Sequence, residues 1–159
     1  MDIPRVALGE LSVCSVAKPK TKIVDYQEYF QSAQQASKQA EAGDYESALS
    51  ILLSLFSNDI ADLDKSMMCL NIAILLERMG RESEVLSWYE KGVSYEWPHS
   101  RCKVAENKAA YVARQGKPKE SLAIYETLLM RQFLMEEDKN RIRTNIATLK
   151  EQLRSEGTS

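Results

Sequence analysis

Three strings, "GDYESAL" from Gly43, "GRESEVL" from Gly80 and "GKPKESL" from Gly116, recur at intervals of 37 and 36 residues. Self-similarity at this period marks stacked supersecondary units, each of which buries its apolar face only against the next. The residues around each glycine say what the unit is. Before Gly43, Tyr26, Tyr29, Phe30, Ala33, Ala36 and Ala40 recur at helical spacing; after it, Ala48, Leu49, Leu52, Leu55 and Phe56 form a second stripe. The spacing predicts helices over about 24–42 and 45–56, closed into a hairpin by Gly43 and Asp44. Equivalent pairs follow at about 63–79 with 82–95 and about 100–115 with 118–133, the last opening on Pro118, whose missing N–H costs nothing at a helix start. A final helix over about 137–154 carries Ile142, Ile146, Leu149 and Leu153 on one side and charges elsewhere, as a solenoid's terminal cap must.

The expected fold is therefore all-α: a solenoid of three antiparallel helical hairpins with a C-terminal capping helix. The repeat domain covers 23–154, with repeats at about 29–62, 66–99 and 102–135. Residues 1–22 contain Pro4, Gly9 and Pro19 and are expected to form an extended arm. Its apolar positions Val6, Leu8, Leu11, Val13 and Val16 are too many for a fully solvated tail. The arm is expected to dock along its own first helices, or else in a groove.

Composition excludes several function classes. Lys and Arg total 21 against 23 Asp and Glu, so no global positive field gathers phosphates and nucleic-acid binding is disfavoured. No stretch of about 18 apolar residues occurs that would span a membrane. The start lacks a basic segment feeding an unbroken apolar core and reads poorly as a signal peptide. The three cysteines, Cys14, Cys69 and Cys102, are odd in number and have no paired short spacing, which signals neither a disulfide framework nor a zinc cage. A reducing, cytoplasmic setting without metal or cofactor is the expectation. His99, the one histidine, adjoins Pro98 in a linker; no phosphate loop or nucleophile motif accompanies it, so no enzyme is expected. Glu136, Glu137 and Asp138 fall at the start of the last helix, where negative charge complements the dipole.

The hairpins resemble tetratricopeptide repeats over roughly residues 29–135. Seven residues before each turn glycine stand Ala36, Ala73 and Ala109, small where two helices approach closely. Five after it come Ala48, Val85 and Ser121, six after it Leu49, Leu86 and Leu122, and nine after it Leu52, Tyr89 and Tyr125. The chain departs from the family in placing Ser32, Cys69 and Ala105 where a bulky aromatic is usual, in having a post-hairpin proline only at Pro98, and in its longer links. The pentatricopeptide repeats, which read single-stranded RNA, have a similar period, but their basic groove and longer arrays are missing.

The resemblance implies a concave groove lined by the first helix of each hairpin. Nine residues before each turn glycine lie Gln34, Asn71 and Asn107, and the cap repeats the word with Asn145. An amide donates and accepts, so such a ladder suits the main chain of an extended peptide; the competing reading has these amides bonding between neighbouring helices. Met67, Lys103 and Arg141 fall one turn earlier on the groove side, with Arg78 and Arg114 near its other end. These cations suit an acidic segment or a terminal carboxylate, or simply face solvent. Some family members clamp the C-terminal carboxylate of cytosolic heat-shock chaperones with five residues. Asn71 and Lys103 match that set, whereas Ala33, Ser37 and Asn107 do not, and this ligand is not expected.

The leading expectation is a protein interaction module that captures an extended segment. One alternative is a small chaperone of a secreted or hydrophobic partner, similar to the chaperones of type III secretion translocators. Another is a structural subunit assembling, as a homo-oligomer, through the N-terminal arm. Tyr95 and Trp97 are expected to seal the seam between hairpins.

Overall fold

A computed structural model describes residues 25–157; the arm and the docking expected of it lie outside the described residues. Among the described residues seven α-helices follow one another: α1 (Tyr26–Glu41), α2 (Tyr45–Phe56), α3 (Asp62–Arg78), α4 (Glu82–Glu96), α5 (Lys103–Arg114), α6 (Pro118–Leu129) and α7 (Glu136–Glu156). No strand occurs among the described residues. α1 with α2, α3 with α4 and α5 with α6 form three hairpins stacked in sequence, and α7 closes the third. The chain is an all-α solenoid, as the repeat demands.

Each hairpin turns on a glycine with positive φ: 82° at Gly43, 71° at Gly80 and 76° at Gly116. This is the left-handed conformation that ends a helix most cheaply without a Cβ. Asp25 and Asp44 cap α1 and α2 by accepting from the N–H of Gln27 and Ser47. α3 is the most enclosed helix, with Met68, Cys69, Leu70, Ile72, Ala73, Leu75 and Leu76 all buried. Apolar residues on nearly every side are what a helix packed against both its hairpin partner α4 and the preceding α2 requires.

Two boundaries differ from the periodicity, each for a physical reason. α5 begins at Lys103 rather than near residue 100, because Pro98 sits in a short 3-10 turn (Trp97–His99) and Ser100 is left-handed at φ 53°. α6 stops at Leu129 rather than near residue 133. Leu128 and Leu134 are both buried in the core with Ile142, yet residues six apart lie about 240° round an α-helix. Burying both forces the chain out of the helix.

Helices come close together at Gly92 on α4. A Cβ built there would stand 2.8 Å from Val104 Cγ1 and 2.9 Å from Cys69 Cβ, so this glycine sets how near α3, α4 and α5 come to one another. Ser121, a small residue inside the third hairpin, is fully buried and donates its hydroxyl to Ala109 O at 2.7 Å.

Candidate functional site

The second and third hairpins are joined by polar groups rather than by packing alone. Glu96, the last residue of α4, is 1% exposed, and its two carboxylate oxygens accept the N–H groups of Val104 (2.9 Å) and Ala105 (2.8 Å). It thereby does for α5 what Cys102, at the cap position, cannot do with its thiol. Burial pushes the Glu96 carboxyl above the ordinary carboxylate range, and the two N–H donors pull part of that back. Arg131 crosses the same joint: its guanidinium donates to Trp97 O and Arg101 O and stacks 4.0 Å over the Trp97 ring. His99 Nε2 pairs with Asp62 Oδ2 at 3.1 Å, tying the link to the start of α3. Tyr95 packs against Phe56 and seals its seam, whereas Trp97 is 42% exposed beneath Arg131.

Beside this joint opens a cavity of about 690 Å³ lined by Leu63, Met67, Glu96, Arg101, Cys102, Lys103, Glu106, Asn107, Asp138 and Arg141. Met67, Lys103, Asn107 and Arg141, four of the residues expected in the groove, thus meet in one place. A second hollow of about 340 Å³ lies between α1 and α3, lined by Asn71 and Arg78 together with Ala33, Ser37, Ala40 and Ile74. Small side chains on α1 leave that space open. Gln34, Arg114 and Asn145 line neither. Arg114 reaches from α5 back to α3, where its guanidinium makes three bonds of 2.9 to 3.1 Å to the Glu77 carboxylate.

The amide ladder does not bond between helices. Asn107 Nδ2 donates to Lys103 O of its own helix at 2.8 Å, and Gln34, Asn71 and Asn145 have no side-chain partner among the described residues. Gln34 and Asn71 are exposed and the other two half-buried. The cations are unequal. Arg141 is held by Glu106 (2.6 and 2.8 Å) and by Asp138 (2.5 Å), while Arg78, Arg101 and Lys103 make no side-chain ion pair among the described residues.

Cys102, Glu106 and Asp138 bring a thiol and two carboxylates within 4.8 Å, the one such group among the described residues. The Arg141 guanidinium already compensates both acids, and burial together with the Glu106 carboxylate pushes the Cys102 thiol up to about 12. Such a thiol is a poor metal ligand and a poor nucleophile. Cys69, buried within α3, is pushed up to about 11. At pH 8 the thiolate fraction of either is about one in a thousand or less. Cys69 and Cys102 are therefore expected to react with a maleimide at least a hundredfold more slowly in the native protein than in 8 M urea, measured by peptide mass mapping. Equal rates in the two states would show that this part of the core opens freely.

Sequence reasoning missed Glu96 and Arg131, which carry no periodic signal.

The stacked hairpins, with one hollow between α1 and α3 and a larger one beside α5 and α7, define a helical-hairpin solenoid. Among solved structures, the type III secretion chaperone SycD of Yersinia enterocolitica, in complex with a peptide of the translocator YopD, superposes with a TM-score of 0.59 at 18% identity, covering 79% of this chain and 95% of that one. A second structure of the Yersinia enterocolitica translocator chaperone SycD gives 0.60 at 17% identity, covering 82% and 89%. No family model matches the chain, and no curated protein matches it. No helix among the described residues is long and apolar enough to cross a membrane.

Proposed function

We propose that this chain is a non-enzymatic, cytoplasmic interaction module that holds an extended polypeptide segment along the concave faces of α1, α3, α5 and α7. The observation that carries this is the set of amides, Gln34, Asn71 and Asn145, left without side-chain partners among the described residues, with Asn71 lining the hollow between α1 and α3. An unpaired amide on a groove wall can bond both N–H and C=O of a passing main chain, which gives affinity with tolerance of side-chain identity. Arg78, Arg101 and Lys103 favour a segment carrying carboxylates. Two buried thiols kept reduced fit a cytoplasmic setting.

A chaperone role for a secreted or hydrophobic partner is a specific form of the same function. It is supported by the fold shared with SycD, a chaperone crystallised with a translocator peptide. Co-expression with a candidate client separates the two, since a chaperone renders that client soluble.

Asn71→Ala combined with Asn107→Ala is expected to weaken peptides selected on the wild-type protein from a random library by tenfold or more, with the circular dichroism spectrum unchanged. Binding within twofold of wild type would remove the groove as the binding surface.

A further inference from the structure

The first hairpin joins the stack less closely than the others. α3 packs on α2, α4 and α5, whereas α1 packs on α2 and leaves a gap of about 340 Å³ beside α3. Ala33, Ala36, Ser37 and Ala40 are too short to fill it from α1, and Asn71 and Arg78 border it from α3 with no side-chain partner among the described residues. Tyr26 and Phe30, 57% and 63% exposed, share the face of α1 that carries Ala33, Ser37 and Ala40, at intervals of three and four residues. They line neither hollow; they stand between the start of α1 and this one.

The chain carries a segment of matching chemistry, tethered at this point. Residues 6–17, VALGELSVCSVA, are apolar or small with one charge, Glu10. The hollow is apolar or small with one amide and one charge, Arg78. Between segment and helix stand Lys18, Lys20 and Lys22, and the helix ends nearest them are acidic, with Glu28 in the first turn of α1 and Asp64 in that of α3. Burial and then the charge of Asp64 push the Tyr29 phenol up, which places that α3 acid beside the start of α1. Reach is ample. Ala36, at the centre of the hollow, lies about 15 Å along α1 from its start, while residues 14–24 extend over about 36 Å. A segment tethered to the first residue of α1 runs back along that helix in one direction only, toward the end where Arg78 lies.

Resting on the proposal that the groove holds an extended polypeptide, we infer that its resident occupant is the chain's own N-terminal segment: residues 6–17 lie in the α1–α3 hollow with Glu10 facing Arg78, and a partner displaces them to bind there. The surface is closed in cis until a competing segment arrives. A short tether gives an effective concentration on the order of millimolar, so even a weak contact within the chain lowers the apparent affinity of every partner. Release of the segment, rather than a change in the repeats, then sets when the groove is open.

The test uses the full chain, in which Cys14 is a native probe inside the segment while Cys69 and Cys102 are buried. Ser37→Cys places a thiol in the hollow; Ser50→Cys places one at a similar height of the hairpin, on the side of α2 opposite Ala48 and Leu52. In a glutathione redox buffer the disulfide from Cys14 to the hollow position is expected to form at least tenfold faster than that to the outer position, read by peptide mass mapping of the monomer. Arg78→Glu is expected to slow it threefold or more, and Glu10→Arg in the same chain to restore it. Leu11→Asp with Val13→Asp releases the segment without touching the repeats. Peptides selected on this released variant from a random library are expected to bind it at least tenfold more tightly than wild type, by fluorescence anisotropy, and to be displaced from it by a synthetic peptide of residues 5–18. Equal disulfide rates at the two positions, or equal peptide affinities of wild type and the released variant, would overturn the cis occupant while the groove stands. A disulfide formed between two chains would assign the hollow to a second copy and overturn it as well. Failure of any peptide to enrich on the released variant would remove the groove as a partner's surface, a failure of the underlying reading that the disulfide rates do not share.

Discussion

Glu96→Ala is expected to destabilise the protein by about 2–4 kcal/mol, since two buried N–H groups each lose an acceptor worth about 1–3 kcal/mol, offset in part by removing a desolvated carboxylate. The site gives little room for repair. Val104 and Ala105 are 0% and 2% exposed, and no other side chain caps α5. Because Glu96 sits on the second hairpin and its partners on the third, the loss falls on the interface between repeats, the quantity that makes a solenoid cooperative. Urea unfolding should show a lower midpoint and, with the interface weakened, a broader transition; native-state hydrogen exchange should show Val104 and Ala105 opening before α3. Glu96→Gln keeps one acceptor but turns an amide donor toward the second N–H, and an intermediate loss is expected. A change below about 0.5 kcal/mol for Glu96→Ala would mean that water enters and replaces the carboxylate.

Gly92→Leu is expected to cost about 3 kcal/mol, at the upper end of what overpacking a closed core does. The atoms that meet the new side chain have no freedom to yield. Val104 Cγ1 belongs to a β-branched residue with a stiff χ1, and Cys69 Cβ is fixed to the α3 backbone. Gly92→Ala separates two effects: alanine favours the helix by about 1 kcal/mol over glycine, yet its Cβ already lies inside contact distance. A net loss on Gly92→Ala is the expected sign, read from the thermal midpoint. A gain would show that α4 moves off α3 without penalty.

How much of the fold and its groove is legible in the sequence depends on whether a residue's role repeats. The helix pairs, their glycine turns and the cap follow from periodic positions, because burial between stacked units forces the same residue type at the same place. Ala36, Ala73 and Ala109 are all buried, at 3%, 0% and 0% exposed. The polar joint is illegible because it occurs once. Glu96 sits where the glycine-spaced pattern asks for nothing, and only the fold brings it onto amides eight and nine residues later. Arg131 bonds carbonyls thirty and more residues away, at a distance sequence spacing does not express. Arg114 shows the opposite failure. Its repeat position places it in the groove with Arg78, but α3 carries Glu77 within reach, and the pair spans the wall between helices instead. Position in a repeat specifies direction; the neighbouring helix decides what is found there.

Glu96 also borders the larger cavity. A guest that displaced this carboxylate would uncap α5, so filling the hollow and the join between two hairpins draw on the same acid.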